Sequence, residues 1–272
     1  MTTGTSRPLL LGHRGVSGLR RPGLDWRNPG LPSENTLAAF DYAIANGCDG
    51  FEFDVRYARD RRAVLCHDPT FNRRNIEATD YGGLERSGHK LACLEDVLAR
   101  FAATAYLDIE LKVAGNEESV VAALRANPPQ RGYVVSSFLP EVLLQLHELE
   151  PALPLGYICE HPKDAARWTD LPITASLPNW RLVSQQLVDE VHSQGVKLIT
   201  WTVNDAGGLL RLASWGVDGL ISDSPSLLSK TFPDAPARPS GGQRFRTESE
   251  KRTAKEWLLG FCRSVPRHLD CS

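Results

Sequence analysis

The sequence lacks three features that would place it in a common class of protein. It has no basic surplus: 31 lysines and arginines stand against 33 aspartates and glutamates, and the formal net charge of −2 argues against a general nucleic-acid binder. It also lacks a long apolar stretch. The N-terminal run of three leucines (Leu9 to Leu11) predicts neither a signal peptide nor a membrane span. We therefore expect no transmembrane segment.

Paired cysteines are the third absence. The cysteines lack the CxxC spacing of a zinc site, and they are too sparse for a disulfide scaffold. They stand singly at Cys48, Cys66, Cys93, Cys159, Cys262 and Cys271. We expect free thiols in a cytoplasmic protein. The sequence gives no indication of an oligomeric state.

Short apolar segments alternate with amphipathic helical segments along most of the chain, as in a parallel sheet. Eight predicted strands begin near residues 8, 50, 105, 133, 155, 173, 197 and 219. This pattern predicts a TIM (β/α)₈ barrel over residues 1–232, with its site at the C-terminal mouth. Ser33 is the predicted N-cap of the first helix. Residues 233–272 read as a linker and tail, in which Thr247 and Glu250 have capping-box spacing for a short helix.

The stretch 48–68 carries the most informative pattern. As a strand, its alternating residues put Glu52 and Asp54 on one face and apolar side chains on the other. Residues 63–67 predict a second strand. Because the link between the two is too short for a parallel crossover, they should form a hairpin that returns His67 towards the acids. Taken alone, the stretch fits a solvent-facing amphipathic hairpin equally well.

Polar groups at several strand ends would converge on one mouth of such a barrel. They are His13 and Arg14, Glu52 and Asp54, His67 and Asp68, and Glu110 and Lys112. Three carboxylates that offer only oxygen donors suit a hard cation, Mg²⁺ or Ca²⁺, better than zinc. Arginine and lysine suit a phosphate anion, and two histidines can act as acid and base near neutral pH. Together these residue types predict phosphodiester cleavage.

Seven segments between Leu9 and Pro225 carry a resemblance to a known family. In chain order they read LLLGHRG, SENTLAAFDYAIANGCDGFEFDV, AVLCHDPT, LDIELK, VVSSF, LITWTVN and GVDGLISDSP. In this order and spacing the chain resembles the glycerophosphodiester phosphodiesterase family, part of the wider barrel superfamily of phospholipase-C-like phosphodiesterases. The resemblance implies metal-dependent hydrolysis of glycerophosphodiesters, such as glycerophosphocholine or glycerophosphoethanolamine, to glycerol 3-phosphate and an alcohol.

The same resemblance implies roles for individual residues. His13 and His67 match the acid/base pair of the family. Its three metal ligands are matched by Glu52, Asp54 and Glu110. Its substrate-binding residues are matched by Arg14, Glu34, Lys112, Phe138 and Trp201. Among the last group, Arg14 and Lys112 match phosphate-binding residues, and the two aromatic residues match positions that wall the glycerol and leaving-group side. Read without the resemblance, the two aromatic residues would be ordinary core side chains.

The chain departs from the family pattern in two places. Residues 19–32 form an excursion rich in proline, glycine and arginine, which is either a lid beside the mouth or an inert surface loop. The first helix opens with Pro-Ser-Glu-Asn-Thr, one residue longer than the family's Pro-Glu-Asn-Thr, so the placement of Glu34 stays open.

Two other functions remain open. A lysophospholipase D or sphingomyelinase-D-like enzyme would act on a lipid, which Trp26 and the arginines of the excursion would suit. A barrel that binds a phosphorylated ligand without turnover would not require two titratable histidines. In each case the expected partner is a phosphodiester or phosphorylated compound, not nucleic acid.

Overall fold

A computed structural model describes residues 7–18, 30–84, 91–164 and 166–233. These residues contain strands β1 (Leu9–Gly12), β2 (Gly50–Tyr57), β3 (Ala63–Leu65), β4 (Thr70–Phe71), β5 (Arg74–Asn75), β6 (Tyr106–Leu111), β7 (Tyr133–Ser137), β8 (Leu155–Cys159), β9 (Ala175–Pro178), β10 (Lys197–Thr200) and β11 (Gly219–Ser222). The helices are α1 (Leu37–Ala45), α2 (Tyr81–Leu84), α3 (Leu94–Phe101), α4 (Glu117–Ala126), α5 (Pro140–Leu149), α6 (Gln185–Ser193), α7 (Ala206–Ser214) and α8 (Pro225–Thr231). The predictions for residues 19–29 and for the tail helix lie outside the described residues.

Eight of these strands are parallel and close into a ring, in the order β1, β2, β6, β7, β8, β9, β10, β11. The ring closes because β1 pairs with β11 on one side and with β2 on the other. This is the predicted TIM (β/α)₈ barrel, and each of the eight predicted strands is present. β3 lies outside the ring and pairs antiparallel with β2, which confirms the predicted hairpin.

Side-chain alternation along the strands separates two apolar layers. One layer fills the barrel interior and includes Leu11, Ile158 and Ile199. The other lies between the strands and the outer helices, where the rings of Phe40 and Phe51 stack with their centroids 4.1 Å apart. Fully burying a phenylalanine contributes about 1.5–3 kcal/mol, so this outer layer fixes the face of β2 that turns inward.

The first helix begins three residues later than the predicted N-cap implies. Thr36, not Ser33, is the N-cap: its side-chain oxygen accepts a hydrogen bond from the Ala39 backbone N–H at 3.2 Å. The Ser33 prediction is wrong because Asn35 takes a left-handed conformation (φ 56°), which keeps the preceding residues out of the helix. The predicted end of the helix is confirmed, since Asn46 is the C-cap and Gly47 follows at φ 86°.

The remaining differences are small. β9 lies two residues further along the chain than the predicted strand at 173–176, and α8 after the last barrel strand was not predicted. The predicted insertion at 69–90 contains the two-residue strands β4 and β5 and the one-turn helix α2. Within the described residues, every helix is too short or too polar to cross a membrane.

Candidate active site

Three buried carboxylates, here called the acidic cluster, lie on the inner face of neighbouring strands. Glu52 and Asp54 project from one face of β2, and Asp54 pairs in register with Glu110 on β6. Oxygen atoms of the three side chains lie within 4.8 Å of one another. All three residues are buried. Because the ladder between β2 and β6 fixes both backbones, the acidic cluster is held in place by the barrel itself.

The acidic cluster carries more negative charge than the surrounding side chains offset. The pKa of Glu52 lies well above its usual value, first because of burial and then because of repulsion from Asp54 and Glu110. Burial also raises the pKa of Glu110. The Oε1 atom of Glu52 is buried without a hydrogen-bond partner. A divalent cation would give this oxygen a partner and supply the missing positive charge, so the donor set fits Mg²⁺ or Ca²⁺.

Asp54 differs from its two neighbours. Burial alone would raise its pKa, but Lys112, Arg14 and a hydrogen bond from Asn35 together hold the pKa below its usual value. Lys112 Nζ lies 3.4 Å from Asp54 Oδ1, and Arg14 Nε lies 3.2 Å from Asp54 Oδ2. Asn35 Nδ2 donates to Oδ2 at 2.7 Å. Asp54 therefore keeps its negative charge to a lower pH than its two neighbours do.

Arg14 and Lys112 place two positive charges beside the acidic cluster. The Arg14 backbone N–H donates to Glu52 Oε2 at 2.9 Å, and its guanidinium donates to Glu34 Oε1 at 2.9 Å. Lys112 Nζ donates to Glu110 Oε1 at 2.6 Å. Neighbouring carboxylates raise the pKa of both basic groups, against the opposing effect of burial. A phosphate anion at this position would contact two positively charged side chains that are mostly shielded from solvent.

His13 follows β1 and contacts Asp223, which lies 210 positions later in the chain. Its Nδ1 lies 2.6 Å from Asp223 Oδ1, and its Nε2 lies 3.9 Å from Glu52 Oε2. Asn204 Nδ2 donates to the other Asp223 oxygen at 2.5 Å, while Asn204 Oδ1 accepts from the Asp223 backbone N–H at 3.0 Å. Since Asp223 occupies Nδ1, the Nε2 atom is the one that faces the acidic cluster.

His67 lies just beyond β3, at the end of the hairpin. Its Nδ1 lies 2.8 Å from Asp68 Oδ1. Its backbone carbonyl accepts a hydrogen bond from Arg56 Nε at 3.0 Å, and Arg56 is also bonded to Glu77 at 2.8 Å. His67 and His13 line one cavity together with Glu52, Glu110 and both basic side chains. The hairpin thus returns His67 to the acids, as its short link predicts.

The other three predicted substrate-binding residues lie at the rim of this cavity or near it. Glu34 is 41 % exposed and bonds to Arg14 and to Ser17 Oγ, which donates at 2.6 Å. Phe138 is 36 % exposed, and its ring meets the ring of Trp201 edge-on with centroids 5.6 Å apart. The Trp201 indole N–H donates to the Leu177 carbonyl at 2.8 Å. Phe138 is therefore a surface aromatic residue and not an ordinary core side chain.

Comparison with known proteins identifies the family of the chain. The sequence model of the glycerophosphoryl diester phosphodiesterase family matches residues 13–227. The chain belongs to this family. It is accordingly an enzyme, a hydrolase of the phosphodiesterase class on a TIM barrel.

Individual relatives span related activities. A glycerophosphodiester phosphodiesterase of Caldanaerobacter subterraneus subsp. tengcongensis is 28 % identical in an alignment of 246 residues that covers 82 % of this chain and 96 % of the relative. Human lysophospholipase D GDPD3 is 23 % identical in an alignment of 254 residues that covers 72 % of this chain and 79 % of that protein. The solved structure of an Oleispira antarctica phosphodiesterase in complex with sn-glycerol-3-phosphate matches with a TM-score of 0.69 at 23 % identity, covering 84 % and 98 % of the two chains. At this identity, the structural similarity shows that the two proteins share a fold.

Sequence reasoning missed five polar residues of this site. Asn35, Asn204 and Asp223 hold Asp54 or His13 through the hydrogen bonds given above. Asp108 and Glu160 line the cavity. All but Glu160 lie inside the segments quoted in the sequence analysis, so a signal was present in the sequence. Asn35, Asn204 and Asp223 were not used because none of them continues a pattern of alternating polar side chains.

Proposed function

We propose that this phosphodiesterase hydrolyses glycerophosphodiesters to glycerol 3-phosphate and an alcohol, and that it depends on a divalent cation. The observation that supports this most is a single cavity of about 260 Å³. Its wall brings together both histidines, two members of the acidic cluster and the two basic side chains: His13, His67, Glu52, Glu110, Arg14 and Lys112. Pure binding of a phosphate would not need two titratable histidines beside the anion site.

Charge neutralisation is the first requirement of the reaction, because a phosphodiester carries a negative charge that repels nucleophiles. Arg14 and Lys112 are held by carboxylates and can donate N–H groups to the non-bridging oxygens without reorganising. A cation held by Glu52, Asp54 and Glu110 would neutralise the same oxygens as a Lewis acid when bound. The ion pairs keep the basic groups in place before substrate arrives.

Proton transfer is the second requirement, because an alkoxide is a poor leaving group. In this proposal one histidine takes a proton from the nucleophile and the other gives one to the departing oxygen. Asp223 holds His13 so that Nε2 is free to exchange a proton with substrate. The nucleophile is water or the glycerol 2-hydroxyl. A transient cyclic phosphate in a ³¹P NMR time course would identify the hydroxyl.

The test is hydrolysis of glycerophosphocholine coupled to detection of glycerol 3-phosphate, with EDTA and then with Mg²⁺ or Ca²⁺ restored. We expect release of glycerol 3-phosphate that stops with EDTA and returns with a metal. His13→Ala and His67→Ala should each lower kcat by about 10²- to 10⁴-fold without unfolding the protein. Near-normal turnover in both variants would refute the assignment of the two histidines.

A second candidate is a lysophospholipase D, which the similarity to the human enzyme favours. The cavity volume of about 260 Å³ is smaller than the roughly 300–1,000 Å³ of a drug-sized site, so a lysolipid would place its acyl chain outside the cavity. Lysophosphatidylcholine below its critical micelle concentration should therefore be a poorer substrate than glycerophosphocholine. A higher kcat/KM for the lysolipid would replace the first proposal with the second.

A further inference from the structure

Glu160 is a cavity residue that the proposed reaction does not use. It comes directly after β8, two residues beyond Ile158, whose side chain packs in the barrel interior. Because side chains two apart along a strand point the same way, Glu160 faces the mouth above Ile158. It lines the same cavity as the acidic cluster. Its carboxylate therefore adds negative charge to the wall of the substrate cavity.

The carboxylate of Glu160 has no protein counterion in the part of the chain that the structure describes. No hydrogen bond or salt bridge to it is formed there, whereas Glu110 is paired with Lys112, and Glu34 with Arg14. An unpaired carboxylate on the wall of an anion-binding cavity works against a phosphate unless a positive charge also arrives. The ligand itself can bring that charge.

The neighbours of Glu160 are suited to a cation. In the ring of strands β8 stands next to β7, which leads into Phe138, and two places from β10, which leads into Trp201. The two rings meet edge-on across this arc of the mouth. Lys112 Nζ already lies 5.6 Å from the centre of the Phe138 ring, so Trp201 offers the freer aromatic face. Trp201, Phe138 and Glu160 all line one cavity, and aromatic faces are a usual surrounding of a bound ammonium group.

We infer that Glu160, with Trp201 and Phe138, forms a subsite for a positively charged ammonium group on the alcohol half of the diester. This inference rests on the proposed function and names its substrate class. The cavity wall then offers two binding groups: Arg14 and Lys112 receive the phosphate, and Glu160 receives the cation. A zwitterionic diester uses both groups, whereas a diester of a neutral alcohol uses only the first.

The test compares glycerophosphocholine and glycerophosphoethanolamine with the neutral-alcohol diester glycerophosphoglycerol. For Glu160→Gln we expect the ratio of kcat/KM between each zwitterionic substrate and glycerophosphoglycerol to fall about twofold to fivefold, mainly through KM, as for an exposed ion pair. Glu160→Asp should retain most of the preference. Trp201→Leu should lower the ratio more for the quaternary than for the primary ammonium substrate.

Binding of the cation is measured separately with tetramethylammonium as an inhibitor of glycerophosphoglycerol hydrolysis. Its inhibition constant should rise about twofold to fivefold in Glu160→Gln and stay unchanged in Glu148→Gln, the matched control on an exposed face of α5. Equal substrate ratios and equal inhibition in wild type and Glu160→Gln would overturn the subsite while the hydrolase assignment stands. Failure of the wild type to hydrolyse any of the three diesters would refute the proposed function and the subsite together.

Discussion

Replacing Asp223 by asparagine should inactivate His13 without disturbing the barrel. Asp223 accepts from His13 Nδ1 through one oxygen and from Asn204 Nδ2 through the other. In Asp223→Asn the new side chain has one oxygen and one NH₂ group for these two partners. The Asn204 amide is fixed, because its own oxygen accepts from the backbone of residue 223 and from Ser222 Oγ. The new oxygen must therefore face Asn204, and the new NH₂ must face His13.

This arrangement determines the size of the effect. A donor opposite Nδ1 forces the His13 proton onto Nε2, the atom that has to exchange protons with substrate. A wrong tautomer of this kind lowers kcat by up to about 10⁴-fold in hydrolases whose histidine is sealed from water. Here both side chains keep 18–19 % exposure, so water can relieve part of the constraint. We expect a fall in kcat for glycerophosphocholine of about 10²- to 10³-fold, with KM little changed.

The assay is steady-state kinetics at saturating metal, with thermal unfolding and calorimetric metal titration to show that fold and metal affinity persist. The decisive control is the double variant. If Asp223 acts only through His13, adding Asp223→Asn to His13→Ala should produce little further loss. Near-wild-type turnover of the single variant, or full additivity of the two losses, would refute the reasoning.

Three further predictions concern the acidic cluster, the barrel interior and a helix cap. Glu52→Gln should weaken binding of Mg²⁺ or Ca²⁺ by at least about 10- to 100-fold in calorimetry. It should also raise the Tm of the metal-free protein, because it removes a buried carboxyl group whose pKa is raised by burial and by the neighbouring acids. A lower metal-free Tm would contradict this electrostatic account. Burial raises the pKa of Asp108 to about 7, so the metal-free folded state binds more protons than the unfolded chain and gains stability as pH falls from 8 to 5.5; Asp108→Asn should flatten this rise of Tm measured in EDTA, and an unchanged slope would exclude Asp108 as its source. Thr36→Ala should lower the free energy of unfolding in urea by about 1 kcal/mol while Ser33→Ala changes it by less than about 0.5 kcal/mol, and the reverse order would restore Ser33 as the cap.

The fold was accessible from the sequence because each barrel strand is a short segment with at least one apolar face. Each strand therefore stands out between two amphipathic helical segments, as Tyr133–Ser137 does between α4 and α5. The limits of the strands and helices were less accessible. Ser33 and Thr36 are equally good caps by residue type, and only the left-handed backbone of Asn35 decides between them. That backbone in turn follows from the bonds between Asn35 and Asp54, which join different elements.

The same distinction explains which site residues the sequence suggested. Pairs two apart on one strand, such as Glu52 with Asp54, are visible because the strand alone fixes their common direction. His13 and Asp223 are 210 positions apart and meet only because β1 pairs with β11, with Gly12 opposite Ser222. Their contact depends on closure of the ring, which no local pattern encodes. Glu160 was missed for the same reason, since its neighbours lie on other strands.

The acidic cluster links stability to function in this barrel. Placing three carboxylates within 4.8 Å of one another in a buried site opposes folding, as the raised pKa of Glu52 shows. The barrel tolerates the repulsion because the outer apolar layer buries Phe51, Phe53 and Val55 of β2 and so fixes the strand whatever its inner face carries. A cation that offsets this repulsion binds the folded chain and not the unfolded one, so it should stabilise the same state that it activates. Metal-dependent Tm and metal-dependent turnover should accordingly share one apparent dissociation constant, and two clearly different constants would place the stabilising ion elsewhere.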